Sequence, residues 1–298
     1  MTNLPNSFQE DILANPNHKS WAEVTKDYVG KGMDSKRNWY SSVAEAYNRV
    51  RPRYALELIS RVIELTQLPP KSNILEIGCG PAIATVSFAE LGFSLVSLEP
   101  NLEASQLAKQ NCAAYPQVKI INTSFEEWEI VKNEFDAVLA ATSWHWIDPE
   151  IAYFKSFETL KADGHLVLLW NTPPQLDYPT YQIVARVYQT IAPAVPLYAR
   201  YEDQVTHQDH FQKFSQDILS SGYFEDLSYE SIVNEIQYSL DDYLLLLSTL
   251  SPYIALEETT RNNLFAKLRE VLYQMLRQDD RDYLTLYYIS ASHVARKV

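Results

Sequence analysis

From Asn73 onward, short apolar runs alternate with segments of helical spacing, the mark of a parallel sheet sandwiched between helices. The runs place strands near 73–77, 94–98, 118–121, 135–140 and 165–170. Later runs at Tyr229–Tyr238 and Leu284–Ala291 complete seven strands. Ahead of the first strand, Val43, Ala46 and Val50, then Leu56, Ile59, Val62 and Ile63, predict two helices separated at Arg51-Pro52, because proline ends the first. The first 35 or so residues, with Asn15-Pro16-Asn17 and Gly30-Lys31-Gly32, are polar and turn-rich. Two stretches rich in Tyr and Leu at helical spacing, about 172–210 and 240–280, read as insertions packing into one helical cap. The expected organisation is an N-terminal helical lid segment over 1–70, an α/β core over 71–171 and a cap insertion over 172–210. A core helix and strand over 211–239, a second cap insertion over 240–280 and a last core strand over 281–298 follow. The fold class is α/β, a doubly wound, seven-stranded, mostly parallel sheet.

Within that pattern, the run Ile74-Leu75-Glu76-Ile77-Gly78-Cys79-Gly80-Pro81-Ala82 passes from an apolar strand into small residues and then a helix. The next strand stops at Leu98-Glu99-Pro100. This is the shape of a nucleotide-binding βαβ unit, with Gly78 and Gly80 letting backbone approach a ligand and Glu99 placed to accept from two ribose hydroxyls. Glu76 puts a carboxylate just before the turn, which repels a pyrophosphate but suits a cationic amino group. That favours S-adenosylmethionine over a nicotinamide dinucleotide. In open α/β sheets ligands bind beyond the carboxyl ends of the strands, so Ser124 and Phe125 after the third strand and Ala141 to Trp146 after the fourth join the same rim.

Further blocks carry a resemblance: Val43-Ala44-Glu45-Ala46-Tyr47 with Arg51-Pro52-Arg53-Tyr54, Ser124-Phe125-Glu126-Glu127-Trp128, Phe135-Asp136-Ala137-Val138, Trp144-His145-Trp146-Ile147-Asp148-Pro149, and Gly164-His165-Leu166 leading to Trp170-Asn171. In this order the chain resembles class I S-adenosylmethionine-dependent methyltransferases, of the small-molecule type that includes trans-aconitate methyltransferase, over about residues 40 to 171. The resemblance implies a Rossmann-like sheet whose last hairpin is antiparallel, a helical cap, and a Tyr47 lying over the methyl donor. It implies cofactor contacts from Glu76, Gly78, Gly80, Glu99, Pro100, Ser124, Phe125, Ala141 and Trp144. The chain departs from the family at Ala82, where a third glycine is usual. It departs again at Ala104, where a bulky residue would cover the adenine, so that Leu102 is the expected substitute, and at Ser124, where many relatives carry Asp.

The chemistry is expected around Trp144-His145-Trp146. His145 is a candidate general base or substrate contact, or only a hydrogen-bonded corner, and the tryptophans are wall or core in equal measure. Tyr47 offers a second hydroxyl for proton transfer. Arg51, the best placed of Arg49, Arg51 and Arg53, is read as gripping a carboxylate of cofactor or substrate, or as a solvated helix-end charge. Of the tyrosines Tyr178, Tyr181, Tyr188, Tyr198, Tyr201, Tyr243 and Tyr253, only two or three are expected to touch a substrate, such residues being more often core with a solvated hydroxyl; Tyr28 and Tyr40 belong with Tyr47 in the lid.

Composition narrows the partners. With 298 residues, 46% hydrophobic, the chain can bury one substantial core and spare residues for a cap. A formal charge of −13 argues against nucleic acid and anionic membranes, which need Lys and Arg against phosphate. No run of 18 apolar residues or basic-apolar leader is evident, so a cytoplasmic location is expected. Cys79 and Cys112 make neither a disulfide framework nor a metal cluster, and no metal is expected. The reading is a methyltransferase acting on a small organic molecule, oxygen favoured over nitrogen or carbon. The alternative is a catalytically inactive S-adenosylmethionine-binding sensor or scaffold, motivated by Ala82, Ala104 and Ser124.

Overall fold

The computed structural model describes residues 32–193, 195, 201 and 204–298. Expectations about Tyr28, Tyr198 and the segment before residue 32 lie outside the described residues. The strands are β1 Asn73–Ile77, β2 Ser94–Leu98, β3 Val118–Ile121, β4 Phe135–Ala141, β5 Leu160–Asn171, β6 Gln175–Leu176, β7 Phe224–Tyr238 and β8 Leu284–Lys297. They form one sheet in the order β3-β2-β1-β4-β5-β8-β6, with β7 on the other side of β8. The first five are parallel, and β8 runs antiparallel to β5, β6 and β7. The expected doubly wound, mostly parallel sheet is therefore present, with eight strands rather than seven. The extra one is the two-residue β6, which takes up pairing with β8 at Leu286 and Tyr287, beyond the end of β5.

Period-2 burial explains the two layers of helices. Ile74, Leu95, Leu139 and Val167 face Leu58, Ile59, Val62 and Phe88, whereas Leu75, Leu98, Val138 and Leu166 face the opposite layer with Ala152 and Ile218. The helix Ala44–Val50 ends at Arg51, and the next runs Leu56–Thr66, so the break at Arg51-Pro52 is where the proline puts it. An additional helix, Met33–Asn38, precedes the two predicted ones.

The helices Tyr178–Ile191, Leu240–Ser248 and Glu258–Gln278 share one apolar core containing Val184, Tyr188, Leu244, Leu247, Leu264, Leu268 and Leu272. Tyr243 and Tyr253 are completely buried within it, and the Tyr188 and Tyr253 hydroxyls are 2.6 Å apart. Residues 37–53 strap this cap to the loop after β2. Arg51 donates from Nε to Thr249 Oγ1 at 2.9 Å and from Nη2 to the Thr249 carbonyl at 2.7 Å, while Trp39 Nε1 donates to Ser251 Oγ at 3.2 Å. On the opposite side, Asn101 Nδ2 donates to the Arg37 carbonyl at 2.5 Å and to Ser41 Oγ at 2.8 Å. No described helix is long and apolar enough to cross a membrane.

Candidate functional site

The carboxyl ends of β1, β2, β4 and β5 open into a cavity of about 910 Å³, near the top of the range of about 300–1,000 Å³ for small-molecule sites. Its floor is the turn after β1. Gly78 and Gly80 both have positive φ, +66° and +56°, and Ala82, in place of the third glycine, is also left-handed at +70°. A Cβ added at Gly80 would meet nothing within 4 Å, whereas one at Gly78 would lie 2.7 Å from Ser143 Cβ. Gly80 thus presents bare backbone to the cavity, and Gly78 allows the β1 and β4 loops to close on each other.

Glu99, at the tip of β2, is fixed at both oxygens: Oε2 accepts from the Gly80 N–H at 2.7 Å and Oε1 from the Asn101 N–H at 2.8 Å. Each oxygen keeps a lone pair for a ligand hydroxyl. Burial pushes the Glu99 pKa up to about 7, against the pull of those two backbone donors. A ribose hydroxyl donates to the ionised form, so cofactor affinity is expected to rise with pH through about 7 and level off above it; titrations from pH 5.5 to 8.5 check this. Affinity independent of pH would contradict the assignment.

After β3, Ser124 and Phe125 line the cavity; Ser124 Oγ accepts from the Glu127 N–H at 3.2 Å, which shapes the loop. After β4, Ala141 and Trp144 line it, Trp144 packing edge-on against Tyr153 at 5.2 Å. His145 also lines it, between Trp146 at 5.7 Å and Trp170 at 5.8 Å, and burial lowers its pKa to about 4. The ring is neutral at pH 7, but a conjugate acid that strong makes a poor base. From the strap, Tyr47 and Arg51 reach the cavity, with the Arg51 guanidinium 4.6 Å from the Tyr47 ring centre; Pro100, just after β2, also lines it.

Two of the residues expected at the cofactor stand outside the cavity lining. Glu76 does not line the cavity. It is fully buried on β1, where Oε2 accepts from Thr85 Oγ1 at 2.6 Å and Ser97 Oγ at 2.9 Å, and desolvation pushes its pKa to about 7. Leu102 is 54% exposed on the first turn of the helix Leu102–Asn111 and also lies outside the lining, whereas Asn101 and Ala104 belong to it. The tyrosines of the insertions fare similarly. Tyr178, Tyr181, Tyr188, Tyr201, Tyr243 and Tyr253 face the cap, and the lining tyrosines are Tyr40, Tyr47, Tyr54 and Tyr153.

The raised carboxyls carry a stability consequence. A carboxyl whose folded pKa exceeds its unfolded value contributes stability that is present at low pH and lost as pH rises through about 7. Glu76→Gln is therefore expected to flatten the fall in melting temperature between pH 5 and 8, as calorimetry would read; an unchanged slope would contradict it.

Some residues escaped sequence reasoning. Asn101 caps the helix Leu102–Asn111 by accepting from the Ala104 N–H at 2.8 Å, a pattern that an Asn before a helix signals. Lys155, buried on the helix Pro149–Thr159, donates to the Phe125 carbonyl at 2.7 Å and to the Glu126 carbonyl at 3.2 Å, bracing the loop after β3. No local pattern marks it. Thr142 is left-handed at φ 56°, rare for a β-branched residue, and its Oγ1 is 2.7 Å from the Tyr54 hydroxyl.

The architecture matches known proteins. Residues 75–168 match the family model described as a methyltransferase domain. An uncharacterised methyltransferase of Mycobacterium tuberculosis is 32% identical over 133 residues, 45% of this chain and 52% of that protein. The chain thus spans about half the length of the first curated relatives it matches. An uncharacterised methyltransferase of Schizosaccharomyces pombe is 21% identical over 264 residues, covering 88% of this chain and 98% of the relative. Among solved structures, a protein of Anaeromyxobacter dehalogenans, provisionally described as a type II methyltransferase, superposes with a TM-score of 0.62 at 19% identity, over 83% of this chain and 97% of that one. That likeness shows the fold. With a family match that starts inside β1 and ends inside β5, the segment 75–168 is a class I S-adenosylmethionine-dependent methyltransferase domain.

Proposed function

We propose that the whole chain transfers a methyl group from S-adenosylmethionine to an oxygen of a small organic acceptor. The observation that carries this reading is Glu99, held by the Gly80 and Asn101 N–H groups at the lip of a cavity whose floor is bare glycine backbone. That donor set fits the group: a carboxylate with two free lone pairs suits a ribose diol, and Ser124 and Phe125 stand where an adenine edge would be met. When bound, the cofactor supplies a methyl group on a positively charged sulfur.

The chain's own task is positioning. Aligning donor and acceptor at about 3 to 3.5 Å can supply a large part of the rate, and exclusion of bulk water helps. Tyr40, Tyr47 and Trp146 close the cavity from the strap side, Tyr40 lying 5.6 Å from Tyr47 and 5.9 Å from Trp146. His145, depressed to about pKa 4, is read as a neutral substrate contact rather than a base. Burial also raises the Tyr54 hydroxyl above its usual value. An acceptor oxygen that is already anionic at pH 7 fits such a site, which is the reason for favouring O-methylation.

The test pairs isothermal titration with turnover. Binding of S-adenosylmethionine and of its demethylated product, together with release of that product in the presence of an acceptor, is the expected result. Binding without turnover on any acceptor would favour a sensor, and absence of binding would remove the reading altogether.

A further inference from the structure

The acceptor side of the cavity is walled by rings in an unbroken series. From the Arg51 guanidinium over Tyr47, the contacts pass to Tyr40 at 5.6 Å and on to Trp146 at 5.9 Å. They continue through His145 at 5.7 Å to Trp170 at 5.8 Å, which stacks on Phe214 at 4.5 Å with an interplanar angle of 24°. All these residues line the cavity. Flat faces of this kind recognise flat apolar surface, by area burial and by offset or edge-on ring contacts.

The charge of the lining points the same way. Its described Lys and Arg side chains are Arg51 and Lys213, and its carboxylates are Glu99, Glu126 and Asp217. Two of the five Arg51 donors are already committed to Thr249. A polycarboxylate needs several cationic forks to replace its hydration, and here it would meet at least as many anions. A single carboxylate on an apolar body asks for much less. It also needs no base, since carboxylic acids are ionised at pH 7.

Resting on the methyl-transfer reading above, we infer that the acceptor is a flat, apolar, ring-bearing monocarboxylic acid, methylated on a carboxylate oxygen, rather than a small aliphatic polyacid. In the transfer, a carboxylate oxygen lone pair forms the new O–CH3 bond as the S–CH3 bond breaks. The sulfur retains that bonding pair and leaves neutral, and no proton moves.

The experiment measures release of demethylated cofactor with benzoate, 1-naphthoate, 1-naphthol and trans-aconitate as probes. Turnover of the aryl carboxylates at least about tenfold above the tricarboxylate in kcat/KM is expected. Phe214→Ala is expected to raise the KM for naphthoate about tenfold while leaving cofactor affinity unchanged. Trp170→Phe, which retains a ring in the core, should give a smaller change in the same direction. Preference for trans-aconitate, preference for the naphthol, or an unmoved KM in both variants would overturn the inference. So would failure of every aryl acid to be turned over by a protein that still binds S-adenosylmethionine. Loss of cofactor binding in the unmodified protein would instead overturn the reading beneath it.

Discussion

Replacing Glu99 with alanine is expected to weaken S-adenosylmethionine binding by at least about tenfold, since a hydrogen bond to a charged group contributes about 1.5–3 kcal/mol. Two effects add. The ribose diol loses its acceptor, and the N–H groups of Gly80 and Asn101, now bonded to the carboxylate at 2.7 and 2.8 Å, are released together, so the turn that forms the floor loses its anchor to β2. Glu99→Gln separates the two: one amide oxygen can still accept, whereas the NH2 group faces a backbone donor, so an intermediate affinity is expected. Isothermal titration reads the affinity, and thermal denaturation without cofactor reports whether the fold survives. Because Glu99 is buried with a pKa raised to about 7, removing it relieves a desolvation cost at pH 8, and the apo-protein is not expected to lose much stability there. Unchanged affinity in the alanine variant would refute the ribose assignment.

Which parts of this site could be read in the sequence follows from locality. The turn after β1, the acid ending β2 and the aromatic triplet after β4 each sit where a strand's apolar run stops, so their position at one rim follows from the parallel order alone. Glu76 illustrates the limit. Its place in the motif suggested the cofactor, but on β1 it shares a face with Ile74, pairs across to Ser97 in register and lies under Thr85 of the following helix. A hydroxyl on a neighbouring strand and another nine residues away give no one-dimensional sign that they will seal a carboxylate inside. Arg51 shows the same at longer range, since its partner Thr249 lies 198 residues downstream. The tyrosines of the insertions are legible as helical and mostly core, but which of them meet a ligand is not, because an aromatic stripe at helical spacing looks alike whether it meets a ligand or another helix.

Gly80→Ala and Gly78→Ala together form the sharpest remaining test, because two neighbouring glycines in one motif are expected to fail in different ways. Both sit at left-handed φ, where a Cβ costs about 1–2 kcal/mol. At Gly80 that is nearly the whole structural cost, since the new methyl would project into open space, so the protein is expected to stay folded. The same methyl would occupy the floor where the cofactor's approach depends on bare backbone, so affinity should fall at least about tenfold, as one displaced close contact of about 1.4 kcal/mol requires. At Gly78 the added carbon would lie 2.7 Å from Ser143 Cβ, and Ser143 is itself tied to the Ile77 carbonyl. Forcing them apart adds about 1–3 kcal/mol of overpacking to the backbone strain, so urea denaturation should show Gly78→Ala as the less stable variant. Equal losses of stability with equal losses of affinity would mean that both glycines serve only the turn, and that the cofactor does not lie on Gly80.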